Sequence, residues 1–333
     1  MKNVLICGAG FMGKTHAAAY QKLGIARVAG LIEENEESGK SFCAKFECKP
    51  YSSLAHAFTG GEIDIVDVCL PTFLHEQFAL EALAAGKHVL LEKPMTLTLE
   101  SAKRIVSAAK ASKQAFMMGQ VLRFWPEYVK AKQLLDSGAL GKATLVSAYR
   151  LAQHPNWSPW FSDAGKSGGG LYDLMMHDVD YVNHLFGPAK TVYAVGQKSP
   201  HGAWNDVTAS FEFSSGANAV VESQFNMSGG YPFSMGLRVM GDVGTVEFKF
   251  SAGFNLEDRD SAVNSFVLYA NGHDPSAVEI EHPDGYEEEL KYFVDCVEKG
   301  IKPSTVTPDS SLDTMRMIDA VHRSLESKEK IIL

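Results

Sequence analysis

Short apolar runs alternate with helically spaced segments through the first third of the chain. The runs VLICG (4–8), RVAGLI (27–32), IDIVDVCL (63–70), HVLLEK (88–93) and AFMMGQ (115–120) are separated by stretches of helical pattern, the first of them rich in alanine. Strand–helix alternation of this kind predicts a parallel sheet. From about residue 142 the pattern changes: TLVSAYRL, TVYAV, VTASFEF, AVVESQF, SMGLRVM and TVEFKF read as strands. Most are joined by short turns, among them SSGAN at 214–218 and GDVG at 241–244, which predicts an antiparallel sheet. The change places a boundary near Gln120, and a helix over 127–136 carries the chain onward. The expected architecture is α/β over residues 1–120, with a parallel sheet, followed by an α+β domain over 121–333 with a large, open, mainly antiparallel sheet. Residues 252–285 predict little beyond polar loops around one weak strand.

Composition narrows the range of partners. A chain of 333 residues, 45% hydrophobic and 21% charged, is long enough for two domains with substantial cores. A net charge of -9 with no basic run argues against nucleic acid or an anionic membrane, and makes a small molecule the expected partner. The opening MKNVLICGAG has neither the apolar length nor the cleavage site of a signal peptide, and no later stretch is apolar enough to span a bilayer. Of five cysteines, Cys7 and Cys69 lie in strand-like runs, while Cys43 and Cys48 lack a second pair of ligands for zinc. A reducing cytoplasm is the expected location.

The first chemical motif is Gly8-Ala9-Gly10-Phe11-Met12-Gly13, which follows a strand and opens a helix. Its glycines permit a tight turn, a close approach of backbone to a pyrophosphate, and close helix–strand packing, and the helix N-terminus favours the phosphate charge. About twenty residues further, at the end of the second strand, stands Glu33. A carboxylate there accepts hydrogen bonds from adenosine ribose hydroxyls, and with Glu34 beside it repels a 2′-phosphate. This dinucleotide-binding pattern predicts a Rossmann domain that takes NAD rather than NADP. Pro71-Thr72 and Glu92-Lys93-Pro94 each stand at the C-terminal end of a predicted strand, where open parallel sheets bind ligands.

The segments GAGFMG, CLPTFLH, LLEKPMTLT and GGGLYDLMMHDVDYVNHLFG, in that order, resemble the Gfo/Idh/MocA oxidoreductases, NAD(P)-dependent enzymes acting mostly on sugars and cyclitols. The resemblance covers residues 1–137 and returns at 168–187; between 190 and 310 only the sheet-like pattern supports it. It implies that Thr72 helps to hold the cofactor, that Glu92 bonds the nicotinamide ribose, and that Lys93 sits between that ribose and the substrate, with a cis Lys93–Pro94 bond. It further implies that Gln120 and Arg123 line the far side of the crevice, and that Asp173 and His177 reach in from the second domain. His75 also matches the pattern, although a histidine in the first turn of a helix commonly caps or packs. Inositol 2-dehydrogenases and sugar dehydrogenases are the nearest expectation, as homodimers or homotetramers.

Oxidising a secondary alcohol requires a hydride acceptor, a proton acceptor and a positive group for the developing alkoxide. His177, with an ordinary pKa of about 6.5 and Asp173 four residues before it, suits the base; Lys93 suits the positive charge, and serves as base if burial lowers its pKa. On this reading Lys93, Asp173 and His177 are catalytic, and which of Lys93 and His177 takes the proton stays open. Three other readings remain: a glycosidase or lyase that oxidises its sugar transiently, a noncatalytic dinucleotide sensor, and a metal enzyme using Asp173, His177 and His184. No metal is expected, since His184 lies in an apolar run and nothing nearby completes the set. Trp157, Trp160, Phe161 and Tyr172 are able to stack on a sugar ring, but clustered aromatics more often pack. Leu312, Met315, Ile318, Val321 and Leu325 have the spacing of a helix facing the core.

Overall fold

The computed structural model describes residues 1–154, 159–252, 262–281 and 283–333. Trp157 therefore lies outside the described residues. The chain divides into two compact units, one made of Met1–Phe124 and Pro283–Leu312, the other of Trp125–His282 and Asp313–Leu333.

The first unit opens with β1 (Lys2–Cys7), α1 (Phe11–Leu23), β2 (Ala26–Ile32), α2 (Glu36–Phe46), β3 (Lys49–Tyr51), α3 (Leu54–Gly60) and β4 (Ile65–Val68). It continues through α4 (His75–Ala84), β5 (His88–Leu91), α5 (Leu99–Ala111) and β6 (Phe116–Met118). Its six strands are all parallel, in the order β3-β2-β1-β4-β5-β6. Val4 to Cys7 are buried without interruption, as are all four residues of β4, the pattern of strands covered on both faces. The order reverses direction between β1 and β4, which opens a crevice outside their carboxyl ends.

The second unit contains α6 (Pro126–Asp136), β7 (Ala143–Leu151), the short α7 (Ala164–Ser167), α8 (Met176–Phe186) and β8 (Ala189–Lys198). The strands β9 (Trp204–Phe213), β10 (Asn218–Gln224), β11 (Ser234–Gly241), β12 (Gly244–Ser251), β13 (Val263–Ala270) and β14 (Ser276–Ala277) follow. After α9 (Gly285–Lys299) in the first unit comes α10 (Pro308–Ser327), and β15 (Ile331–Ile332) closes the nine-stranded sheet. The pairing is antiparallel except between β7 and β10, which run parallel, so the sheet is mixed but mostly antiparallel. Alternate residues of β9 and β10 are buried, as one covered face requires. The five helix positions from Leu312 to Leu325 singled out by their spacing are all buried in α10.

The run of glycines before α8 is needed for packing within this unit. Gly168 and Gly169 both have φ near +71°, a left-handed conformation that glycine adopts without strain. A Cβ on Gly169 would stand 2.6 Å from Cβ of Ala203, and one on Gly170 would stand 2.5 Å from the carbonyl oxygen of Asn205. The close approach that these glycines permit is thus to β9. They lead into a π-helical turn over Leu171–Met175, which runs straight into α8.

Candidate active site

The glycine turn is built as the spacing predicts. Gly8, with φ +103°, donates its amide to the carbonyl of Ile32 at 2.8 Å, and a Cβ there would lie 2.5 Å from the carbonyl oxygen of Cys69. A Cβ on Gly13 would fall 1.9 Å from the oxygen of Gly8, so α1 packs on β1 only with glycine at that position. Gly10 differs. It caps α1 with no side-chain hydrogen bond, and a Cβ added to it would meet nothing within 4 Å. The open approach to the amino end of a thirteen-residue helix, with Phe11 and Met12 in its first turn and no acidic residue there, suits an anionic phosphate group.

Glu33 is drawn to the same turn. Its carboxylate accepts the Ala9 amide at 2.7 Å and the Asn35 amide at 2.8 Å, which fixes it beside the glycines at the end of β2. Glu34 is exposed.

At the carboxyl end of β4, Pro71 leads into one 3-10 turn over Thr72–Leu74, and Thr72 is buried. His75 joins this turn to the next strand end: its Nδ1 lies 2.8 Å from the carbonyl oxygen of Pro94 and its Nε2 2.7 Å from that of Leu70. Burial lowers its pKa, against the pull of these two carbonyls toward the charged form. His75 thus ties the loop after β4 to the Lys93–Pro94 peptide, which is cis. Lys93 itself is half-buried.

Glu92 turns inward. One carboxylate oxygen accepts the Lys93 amide at 3.0 Å, and the other stands 3.2 Å from Nε2 of His16, an ionic contact whose angle is not that of a hydrogen bond. Gly119 makes room for it, since a Cβ there would lie 2.7 Å from the Glu92 oxygen. Gln120 is buried with its side-chain oxygen accepting no hydrogen bond, while Arg123 donates to the carbonyl of Thr305 at 2.8 Å and to the Ser310 hydroxyl at 3.2 Å. The guanidinium therefore anchors the returning segment of the first unit.

Asp173 and His177 belong to the second unit. Asp173 sits in the π-helical turn and His177 in the first turn of α8, both half-buried. Next to His177, Asp178 is fully buried against Arg150 of β7, with contacts of 3.0 and 3.3 Å. Burial raises the Asp178 pKa and Arg150 opposes the rise. This pair fixes the start of α8 on the sheet, and with it the backbone that carries His177. His184 is half-exposed beside Tyr181, their ring centroids 6.3 Å apart. Trp160 and Phe161 stack on one another at 4.2 Å, and burial pushes the half-buried Tyr172 hydroxyl up to about 12.

Among the described residues, histidine, cysteine and carboxylate side chains converge in two overlapping sets, His16 with Asp67 and Cys69, and His16 with Glu92 and Glu289. Sequence reasoning passed over His16, Asp67 and Glu289. The signal was there in two of them: Asp67 is a charged residue inside the apolar run IDIVDVCL, and Glu289 interrupts the apolar stripe formed by Leu290, Phe293, Val294 and Val297.

Residues 2–120 match the family model described as "Oxidoreductase family, NAD-binding Rossmann fold", and residues 128–247 match "GFO/IDH/MocA C-terminal domain". The chain is 24% identical over 336 residues to an inositol 2-dehydrogenase of Rhizobium meliloti, covering 98% of this chain and 97% of that protein. It is 32% identical over 200 residues to an uncharacterised oxidoreductase of Synechocystis, a match that spans 57% of this chain and about half, 53%, of that relative. Among solved structures, an aldose-aldose oxidoreductase from Caulobacter crescentus complexed with glycerol shares the fold, with a TM-score of 0.86 at 23% identity over 100% of this chain and 99% of that one. Among the described residues no helix is long and apolar enough to cross a membrane.

Proposed function

Because the chain belongs to the Gfo/Idh/MocA oxidoreductases, an NAD(P)-binding family acting on sugars and cyclitols, we propose that it oxidises a secondary alcohol of a sugar or cyclitol and prefers NAD. The observation that carries this reading is the gathering of the open glycine turn, Glu33, Thr72 and the Glu92–Lys93 turn at the carboxyl ends of neighbouring parallel strands.

When bound, the nicotinamide supplies the acceptor for the hydrogen that leaves the substrate carbon with its electron pair. The chain's own residues do the rest. The amino end of α1, from Gly10 through Gly13, holds the phosphates, and Glu33 accepts the ribose hydroxyls and leaves no cation for a 2′-phosphate. Lys93 offers a positive charge to the oxygen as it loses its proton. In this reading His177 takes that proton and Asp173 orients the imidazole and stabilises its charged form, by the logic that couples a base to a carboxylate in other enzymes.

The test is a panel of sugars, inositols and sugar acids offered with NAD and followed by NADH absorbance. Growth of that absorbance with one member, and weaker growth with NADP, is the expected result. A sugar consumed without any net NADH would instead mean a glycosidase or lyase with transient oxidation, and dinucleotide binding without turnover of any member would mean a sensor.

A further inference from the structure

Glu289 is fully buried on the face of α9 that also buries Leu290, Phe293 and Val294. Both of its carboxylate oxygens are buried and have no well-aligned hydrogen-bond partner; the Gln120 amide, which pulls weakly toward the charged form, donates to the carbonyl of Met118 at 2.9 Å. One side-chain nitrogen or oxygen from each of His16, Glu92 and Glu289 lies within 4.8 Å of the others. The groups that surround this point are His16 and Tyr20 from α1, Asp67 from β4 with Cys69 just after it, Glu92 after β5, Gln120 after β6, and Tyr286 from α9 itself. Of these only His16 becomes a cation, and Asp67 holds its Nδ1 at 2.9 Å. Arg123, in the turn packed on α9, is engaged with Thr305 and Ser310. Three carboxyl groups therefore share one imidazolium. A carboxylate buried without a donor is unfavourable, and two of them side by side more so; the group escapes both costs by keeping its proton.

We infer that Glu289 is held as a carboxylic acid whose O–H donates a hydrogen bond to Glu92, and that it acts as a positioning residue for the Glu92–Lys93 turn. The proton supplies a donor between the two carboxyl groups, the one that Glu289 otherwise lacks, and it leaves the charge of Glu92 to His16. Burial first, and the charge of Glu92 second, push Glu289 well above the usual carboxylate range, in agreement with this arrangement. Glu92 passes the constraint on, because its other oxygen accepts the Lys93 amide. The protonation stands on this unit alone; the consequence for catalysis rests on the role proposed above for Lys93.

Infrared spectra of the chain without cofactor test the protonation directly. At neutral pH the wild type should show the carbonyl stretch of a protonated carboxyl group, and Glu289→Gln should lack it. Glu92→Gln, read in the same way, should shift that stretch, because the acceptor changes from a carboxylate to an amide. Wild-type and Glu289→Gln spectra that coincide in this region overturn the proposal. So does an unmoved stretch in Glu92→Gln, which decides the matter if Glu289→Gln does not fold. Stoichiometric zinc or manganese retained after dialysis by the wild type and lost in Glu289→Gln also overturns it, since the orphaned oxygens would then be ligands. For the positioning role, Glu289→Gln keeps an N–H donor and should hold turnover within a few-fold, while Glu289→Leu should lower it by on the order of a hundredfold with KM little changed. Equal losses in the two variants overturn that half. If no substrate is found, the infrared result still stands, so the two proposals fail separately.

Discussion

Nδ1 of His16 lies 2.9 Å from Oδ2 of Asp67, with both side chains fully buried, and the Tyr20 hydroxyl donates to the same oxygen at 3.0 Å. Burial alone opposes the imidazolium, but the charge of Asp67, helped by Cys69, outweighs it and raises His16 well above its ordinary value of 6.5. A histidine with a raised folded-state pKa stabilises the fold fully below its unfolded value, and that contribution is lost as pH rises through the folded value. Stability should therefore fall from about pH 6.5 into the alkaline range, and His16→Asn should remove that slope. Urea unfolding at a series of pH values measures it; an unchanged slope in the variant would mean that His16 is neutral. Asp67→Asn should cost at most about 3–5 kcal/mol, because it removes the carboxylate held at Nδ1 of the buried cation and leaves it only the ionic contact with Glu92.

Gly10 and Gly13 should respond in opposite ways to the same added methyl group. Gly13→Ala places Cβ against the Gly8 carbonyl at 1.9 Å, so the turn must shift, and both stability and dinucleotide affinity should drop. Gly10→Ala meets nothing within 4 Å of its own chain. It should unfold at nearly the wild-type temperature and still bind NAD more weakly, because the methyl group occupies the approach to the amino end of α1. Unimpaired binding in Gly10→Ala would move the phosphates away from this turn.

Glu33 bears on which dinucleotide is preferred. Its carboxylate is held by the Ala9 and Asn35 amides, which fixes its position at the end of β2. NAD should bind more tightly than NADP, and Glu33→Ser with Glu34→Arg should move the preference toward NADP by removing the anion and adding a cation. Fluorescence titration of the wild type and the paired variant with each dinucleotide reads the ratio. Equal affinity of the wild type for the two dinucleotides would remove the argument.

Much of this was legible in the chain, for physical reasons that differ by element. Most parallel strands of the first unit are largely apolar runs, and the hairpins of the second alternate and carry glycine turns, so both sheets are visible in the sequence pattern, whereas β3, only Lys49–Tyr51, carries no such run. The parallel pairing of β7 with β10 was not, since alternation reads the same in either direction. Nor was the π-helical turn over 171–175, because a shifted backbone hydrogen bond leaves no mark on a spacing of four residues between Asp173 and His177. The glycine fingerprint and Glu33 are local and could be read from spacing. The His16–Glu92–Glu289 cluster joins residues separated by nearly the whole chain, and only the charged interruptions of apolar stripes at Asp67 and Glu289 betrayed it.

The roles proposed for Asp173 and His177 are separated from that of Lys93 by pH profiles. If His177 accepts it and Asp173 orients the ring, the rate of alcohol oxidation should rise with pH through one ionisation and then level. His177→Ala should flatten that limb and slow turnover. Asp173→Asn should keep the geometry while lowering the basicity of the imidazole, so it should be slow as well. The two losses should not add, because residues acting as a unit are lost together; the double variant should be scarcely slower than the worse single one. Lys93 is the competing base. Lys93→Met should leave folding and NAD affinity nearly intact while turnover falls by orders of magnitude, and the fate of the pH limb then separates the roles. A limb kept in Lys93→Met and lost in His177→Ala assigns the proton to His177. The reverse assigns it to Lys93 and leaves His177 to bind a substrate hydroxyl. Because coupled groups titrate together, the decision rests on which variant loses the limb, and the midpoint itself carries no assignment.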